Sequence, residues 1–180
     1  MAITINGSGT VTGITAGGLP DGIITADELA SGVGGKVLQV VQGTTSTQVV
    51  VTTGSYTDTG LTASITPTSA SSKILVLVSQ NVFLARETDG RIAVRHRLLR
   101  DATQVFEDEN ATAFIGGLNS LSELRIGSRL SINYLDSPST TSTITYKTQG
   151  YPSYTTNNGT AYFQISNAGD SNIVLMEILG

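Results

Sequence analysis

From Lys36 to the end of the chain, apolar and polar residues alternate with a period of two, interrupted by short runs of Ser, Thr, Gly, Asn and Asp. The alternation predicts ten strands: Lys36–Gln42, Thr47–Thr53, Leu61–Thr66, Lys73–Leu84, Arg91–Arg100, Thr103–Glu107, Leu124–Tyr134, Ser142–Thr148, Thr160–Ile165 and Asn172–Leu179. Asp89-Gly90 and Asn158-Gly159 carry hairpin-turn signals, because both pairs tolerate positive φ. Many short strands at this spacing predict an all-β fold, a jelly-roll-like β-sandwich.

One strand departs from simple alternation. Ile74, Val76, Val78, Val82 and Leu84 make one face apolar, and Leu75, Leu77 and Phe83 do the same for the other. A strand apolar on both faces needs a second covering layer. In a small sandwich another subunit can supply it, so Leu75, Leu77 and Phe83 become candidate subunit-interface residues; the competing reading is a long loop of the same chain over a central strand.

The first 35 residues read differently. Nine of the 20 glycines fall there, and large side chains are few, so the segment buries too little apolar surface to offset its ordering entropy alone. Ile3–Asn6 and Thr10–Ile14 have strand-like patterning. Thr25 and Glu28 form a capping box ahead of one short helix, Ala26–Ala30, with Gly32 as its stop. A helix that short is marginal in water and needs a docking surface. The expected organisation is therefore an extended glycine-rich N-terminal attachment segment, residues 1–35, ahead of a single β-sandwich domain, residues 36–180.

Composition narrows the function classes. Serine and threonine fill 45 of 180 positions, the net charge is −4 and the chain has no cysteine. A net negative chain argues against nucleic acid as a partner, and the lack of thiols removes disulfides and thiolate metal sites. No apolar run is long enough to span a bilayer, and the N-terminus lacks the basic start and apolar core of a secretory signal. A soluble chain made without signal-peptide export and without membrane insertion is expected.

Catalytic chemistry finds little support. His96 is the only histidine, and Ile92, Val94 and Leu98 share its strand face, which places it in a core or an interface. No G-x-S-x-G elbow marks a serine nucleophile. Thr12 stands where Gly7 and Gly9 would need a third glycine for a dinucleotide loop, so no nucleotide cofactor is expected. Glu107, Asp108 and Glu109 are consecutive, without the alternating spacing of a calcium loop, and read as a solvated hairpin end. The expectation is no catalytic residue, no metal and no cofactor.

Two further clusters concern binding. Arg91, Arg95 and Arg97 share a strand face and suggest a subunit contact, or a solvated face balanced by Glu107 and Glu109; an anionic glycan site is the third reading. Tyr146, Tyr151, Tyr154 and Tyr162 lie near the segment from Gln149 to Gly159, and Tyr151 and Tyr154 are the candidate glycan contacts among them.

The segments GSGTVTGI (Gly7 to Ile14), GGLPDGIIT (Gly17 to Thr25), GKVLQVV (Gly35 to Val41), SKILVLV (Ser72 to Val78), DSPSTTSTITYK (Asp136 to Lys147) and SNIVLMEI (Ser171 to Ile178) together resemble the fibre and decoration proteins of marine tailed bacteriophages, cyanophages included. The resemblance implies a non-enzymatic virion protein with an N-terminal attachment segment and a β-rich distal domain, usually oligomeric and assembled in the host cytoplasm. On that basis the leading expectation is a short homotrimeric fibre or spike contacting other virion proteins of head or tail. The alternatives are a capsid decoration (cement) protein and a receptor-binding, lectin-like module for a host-surface glycan.

Overall fold

The computed structural model describes residues 36–86, 92–115, 124–153, 159–165 and 169–180. The expectations for the leader, including its helix, and those for Arg91, Tyr154 and the Asp89-Gly90 turn lie outside the described residues. Within them the fold is all-β: β1 Val37–Thr45, β2 Val49–Val51, β3 Thr57–Ile65, β4 Lys73–Arg86, β5 Ile92–Arg100, β6 Thr103–Ile115, β7 Leu124–Asp136, β8 Ile144–Ser153, β9 Thr160–Phe163 and β10 Ser171–Ile178.

These strands form two sheets. In the first, β4 is the long central element, paired along one side with β7 and along the other with β10 as far as Ser79 and with β9 from Val82. β1 pairs with β10 and β2 with β9. Each broken pair, β1/β2 and β10/β9, thus occupies one strand position, and the sheet reads (β1/β2)–(β10/β9)–β4–β7. The second sheet reads β3–β8–β5–β6. Two four-position sheets in which every connection but β1/β2, β9/β10 and β5–β6 crosses between layers make a jelly-roll-like sandwich.

That connectivity corrects one reading of the sequence. The Asn158-Gly159 signal precedes β9 but does not close a hairpin, because β8 belongs to the second sheet and β9 to the first. The tight hairpin is β5–β6, where Arg100 pairs with Thr103 across Asp101 and Ala102, with Asp101 at φ 52°. Asp101 Oδ1 accepts from the Thr145 amide at 2.9 Å, which ties the turn to β8.

Boundaries shift for physical reasons as well. β3 starts at Thr57, four residues ahead of its apolar stretch, and crosses a bulge opposite Thr148 where Gly60 takes φ 83°. β6 continues far beyond Glu107, so Glu107 and Asp108 are mid-strand residues opposite Arg97 and His96 rather than a hairpin end. β8 runs to Ser153, which makes Tyr151 a strand residue.

The interior divides into two apolar clusters. One gathers Leu61, Ile65, Ile74, Val76, Leu98, Ile132, Tyr146 and Leu175, among others; the second gathers Val51, Val82, Leu84, Ile92, Val94, Leu130 and Phe163. Between them runs a buried polar belt. Gln80 separates Val78 from Val82 on β4, His96 separates Val94 from Leu98 on β5, and Thr148 lies beyond Tyr146 on β8. The His96 Nε2 and Gln80 Oε1 atoms are 2.7 Å apart, Thr148 donates to the same Oε1 at 2.8 Å, and the Thr59 and Thr148 hydroxyls meet at 2.6 Å. Gln164, in the amide orientation its neighbours select, accepts from Gln80 Nε2 at 2.8 Å and donates to the Thr59 carbonyl at 2.9 Å.

The belt sits where β4 changes partners from β10 to β9. The missing ladder bonds are replaced there: the Gln164 amide donates to the Asn81 carbonyl at 3.2 Å, and the Asn81 amide donates to Ser171 Oγ at 2.9 Å. Backbone groups buried at a strand break need such partners. The sandwich edges close by packing. A Cβ at Gly43 on β1 would overlap the Thr62 carbonyl of β3, and on the opposite side Phe106 of β6 meets Tyr134 of β7 with ring centroids 6.1 Å apart.

Two buried carboxylates flank Ile74 at one end of the core. Glu177 accepts from Gln39 Nε2 at 2.6 Å and from the Thr68 amide and hydroxyl at 2.7 Å each, fastening the β3–β4 connection. Burial works to raise its pKa, but the hydrogen bonds, that from Gln39 foremost, outweigh it and hold the carboxyl at about 2. Asp136 accepts from the buried Tyr146 hydroxyl at 2.6 Å and pairs with Arg100 at 2.7 Å, linking the two sheets.

Candidate functional site

The two outer faces of the sandwich differ in chemistry. On the first sheet, register places Val40, Met176, Leu75 and Leu135 in one row across four strands. Val40 is 57% exposed and Leu135 50%, with Leu75 and Met176 half-buried between them. The next row holds Gln42, Val174, Leu77 and Asn133, and Val37, Leu38 and Ile178 extend the apolar surface past the other side. A contiguous exposed aliphatic surface of this kind, spanning four strands, marks an interaction surface.

The corresponding row on the second sheet is Asp58, Gln149, Arg97 and Glu107. Arg97 donates through Nε to Gln149 at 2.9 Å and through a terminal nitrogen to Gln104 at 2.9 Å, and its guanidinium lies 3.8 Å over the Tyr56 ring. Lys147 pairs with Asp58 at 2.9 Å. Glu107 accepts from the Tyr56 hydroxyl and from Gln104 at 2.8 Å; the bond from Tyr56 is the main reason its carboxyl titrates below the usual range. This face satisfies its own polar groups and suits solvent.

The predicted site residues therefore do not form one patch. Leu75, Leu77 and Phe83 lie on the outer face of the first sheet, while Arg95 and Arg97 lie on the outer face of the second, across the core. Arg97 is balanced by glutamine, tyrosine and register opposite Glu107 rather than by an ion pair with it. The tyrosines also separate. Tyr146 is fully buried, Tyr162 belongs to the first sheet, and Tyr151 is half-buried beside Arg95 on the second, edge-on to Tyr56 with centroids 4.7 Å apart.

His96 is a core residue, 1% exposed. Burial pushes its pKa down to about 4, with the Asp108 charge pulling the other way. Its Nε2 meets Gln80 Oε1 in the belt. Among the described residues no cluster of three His, Asp or Glu side chains is placed to hold a metal ion.

Sequence reasoning missed Val40, Leu135 and Met176, which complete the Leu75 row, and Tyr56, which lies under Arg97. Parity was visible for Val40 and Met176 within their predicted strands, whereas Leu135 lies one residue past its predicted strand and Tyr56 lies outside any strand. Adjacency was not visible, because the partners are separated by up to 136 positions along the chain (Val40 to Met176).

Fold and surfaces together define an all-β, jelly-roll-like sandwich with one apolar and one polar outer face. No protein-family model matches the chain, and no curated protein matches it. Among solved structures it is similar to that of infectious bursal disease virus Gt strain, at 14% identity and TM-score 0.31 over 79% of this chain and 38% of that one. It is likewise similar to the infectious bursal disease virus VP2 subviral particle, at 15% identity and TM-score 0.32 over 79% and 38% of the two chains. The chain spans less than two fifths of the length of these neighbours.

Proposed function

We propose that the chain is a non-enzymatic structural protein of a tailed-bacteriophage virion, a short homotrimeric fibre or spike held by residues 1–35 and presenting the β-sandwich. The observation that carries the reading is the contrast between the faces. A row of four aliphatic side chains across the whole first sheet is costly to leave in water, at roughly 25 cal/mol per Å² of apolar surface. The row on the opposite sheet is already satisfied by its own hydrogen bonds.

Copies of the chain packed through the Leu75 face leave the Asp58–Gln149–Arg97–Glu107 face in solvent. Such an assembly covers the apolar strand face without asking another protein for a matched surface. The sequence resemblance to phage fibre and decoration proteins supports the same reading independently of the packing argument.

Light scattering during size exclusion tests it. Three chains of 18.7 kDa give about 56 kDa for the full-length protein. Leu75→Lys is expected to shift the mass to that of one chain while the β-type circular dichroism persists, because the inward residues of β4 are untouched. A monomeric full-length protein at micromolar concentration defeats the proposal, and so does a Leu75→Lys protein that stays trimeric.

A further inference from the structure

Phe83 and Gly127 face one another across the β4–β7 ladder on the outer side of the first sheet. Gly127 has no side chain to lay over the ring, and the neighbouring outward positions on β7 are Arg125 and Arg129. On the other side Tyr162 of β9 meets Phe83 edge-on, with centroids 6.1 Å apart and planes at 67°. The outcome is a cleft of about 340 Å³ lined by Asn81, Phe83, Gly127, Ser128, Arg129 and Ile165, at the small end of ligand sites.

Arg129 is positioned rather than neutralised. Its guanidinium donates to Ser79 Oγ at 3.0 Å and to the Asp170 carbonyl at 3.3 Å, both uncharged acceptors. Among the described residues no carboxylate pairs with it. A planar cation held by two hydrogen bonds thus stands beside the Phe83 ring, with Asn81, outward on β4 like Phe83, also lining the cleft.

The geometry points to a binding site for an acidic sugar residue, its C–H face on Phe83 and its carboxylate on Arg129. A carboxylate matches the planar guanidinium fork, and the apolar face of a pyranose ring matches the aromatic floor. A neutral sugar leaves Arg129 uncompensated, and a small inorganic anion leaves Phe83 uncovered. The cleft lies eight residues along β4 from Leu75, about 26 Å at strand rise, so it is separate from the Leu75 row. The inference does not depend on that row's being a subunit interface.

Isothermal titration of the full-length protein with galacturonate, glucuronate and sialylated trisaccharides, and with neutral galactose and glucose trisaccharides, is the test. Saturable binding of an acidic trisaccharide and none of the neutral ones is expected. Arg129→Gln should weaken that binding about tenfold or more, the scale of one charge-assisted hydrogen bond. Gly127→Val should remove it by filling the space over Phe83. Gly127 is not in the left-handed region and a Cβ there stands 3.8 Å from the ring, so the fold has room for the change. Circular dichroism of both variants checks that they are folded. Equal binding of neutral sugars, wild-type affinity in either folded variant, or no binding of any acidic trisaccharide at about 10 mM overturns the assignment.

Discussion

Enclosed between Val94 and Leu98, the His96 ring is kept neutral by burial, with its folded pKa near 4 against 6.5 for a free imidazole. As the pH falls the unfolded chain takes up this proton first. Stability from the neutral ring is therefore complete above about pH 6.5 and is lost progressively as the pH falls towards 4. Between about pH 7 and 5 the loss comes to roughly 2 kcal/mol. No other histidine contributes in that window, and carboxylates held low, such as Glu177, bear on stability at lower pH. Urea unfolding at steps across the window should show the slope in the parent protein and a nearly flat profile in His96→Gln. An equal slope in both would place the proton elsewhere.

At the scale of elements, the belt around Gln80 holds together a strand position made of two pieces. β10 leaves β4 at Ser79 and β9 takes over at Val82, and the gap is filled by Gln164, Ser171 and the Gln80 amide. Gln80→Leu keeps a similar volume but strips partners from His96, Thr148 and Gln164 at once. Buried groups left without partners each cost about 1–3 kcal/mol, so the variant should lose several kcal/mol in chemical denaturation despite its greater hydrophobicity. Hydrogen exchange should quicken first at Asn81 and Gln164, whose backbone bonds span the gap. A neutral or stabilising Gln80→Leu would mean the belt is dispensable.

The same elements show what a one-dimensional pattern carries. Each of the ten described strands overlaps one that the alternation predicts, since inward residues of a half-buried strand must be apolar. The face of Leu75 and Leu77 was legible because β4 departs from that alternation and is apolar on both faces. The polar start of β3 at Thr57 and the acidic middle of β6 were not, because their pairing is supported by neighbours in other strands rather than by their own residues. Asn158-Gly159 read as a hairpin turn because turn chemistry specifies how the backbone bends, not which sheet the next strand joins. The cleft over Phe83 needed the register that sets Gly127 opposite it.

For the molecule as a whole, the question is which part holds the fold and which part makes the attachment. The described core clusters draw on residues from Val41 to Leu175, and all ten described strands lie within residues 37–178. Deleting Ala2–Gly34 removes none of these strands and leaves a chain of single-domain size. The truncated protein should therefore keep its β-type circular dichroism and its cooperative unfolding. In the proposed virion role its glycine-rich leader is the attachment segment, since that composition orders itself only against a partner. Added to particles lacking the native copy, the full-length chain should co-sediment and the truncated chain should not. Unfolding of the truncated chain would move the leader into the core and erase the boundary near Lys36. Retained binding by a folded truncation would place the anchor on the sandwich itself, with the Leu75 face the first surface to test, and would favour a decoration protein lying on the shell over a fibre standing out from it.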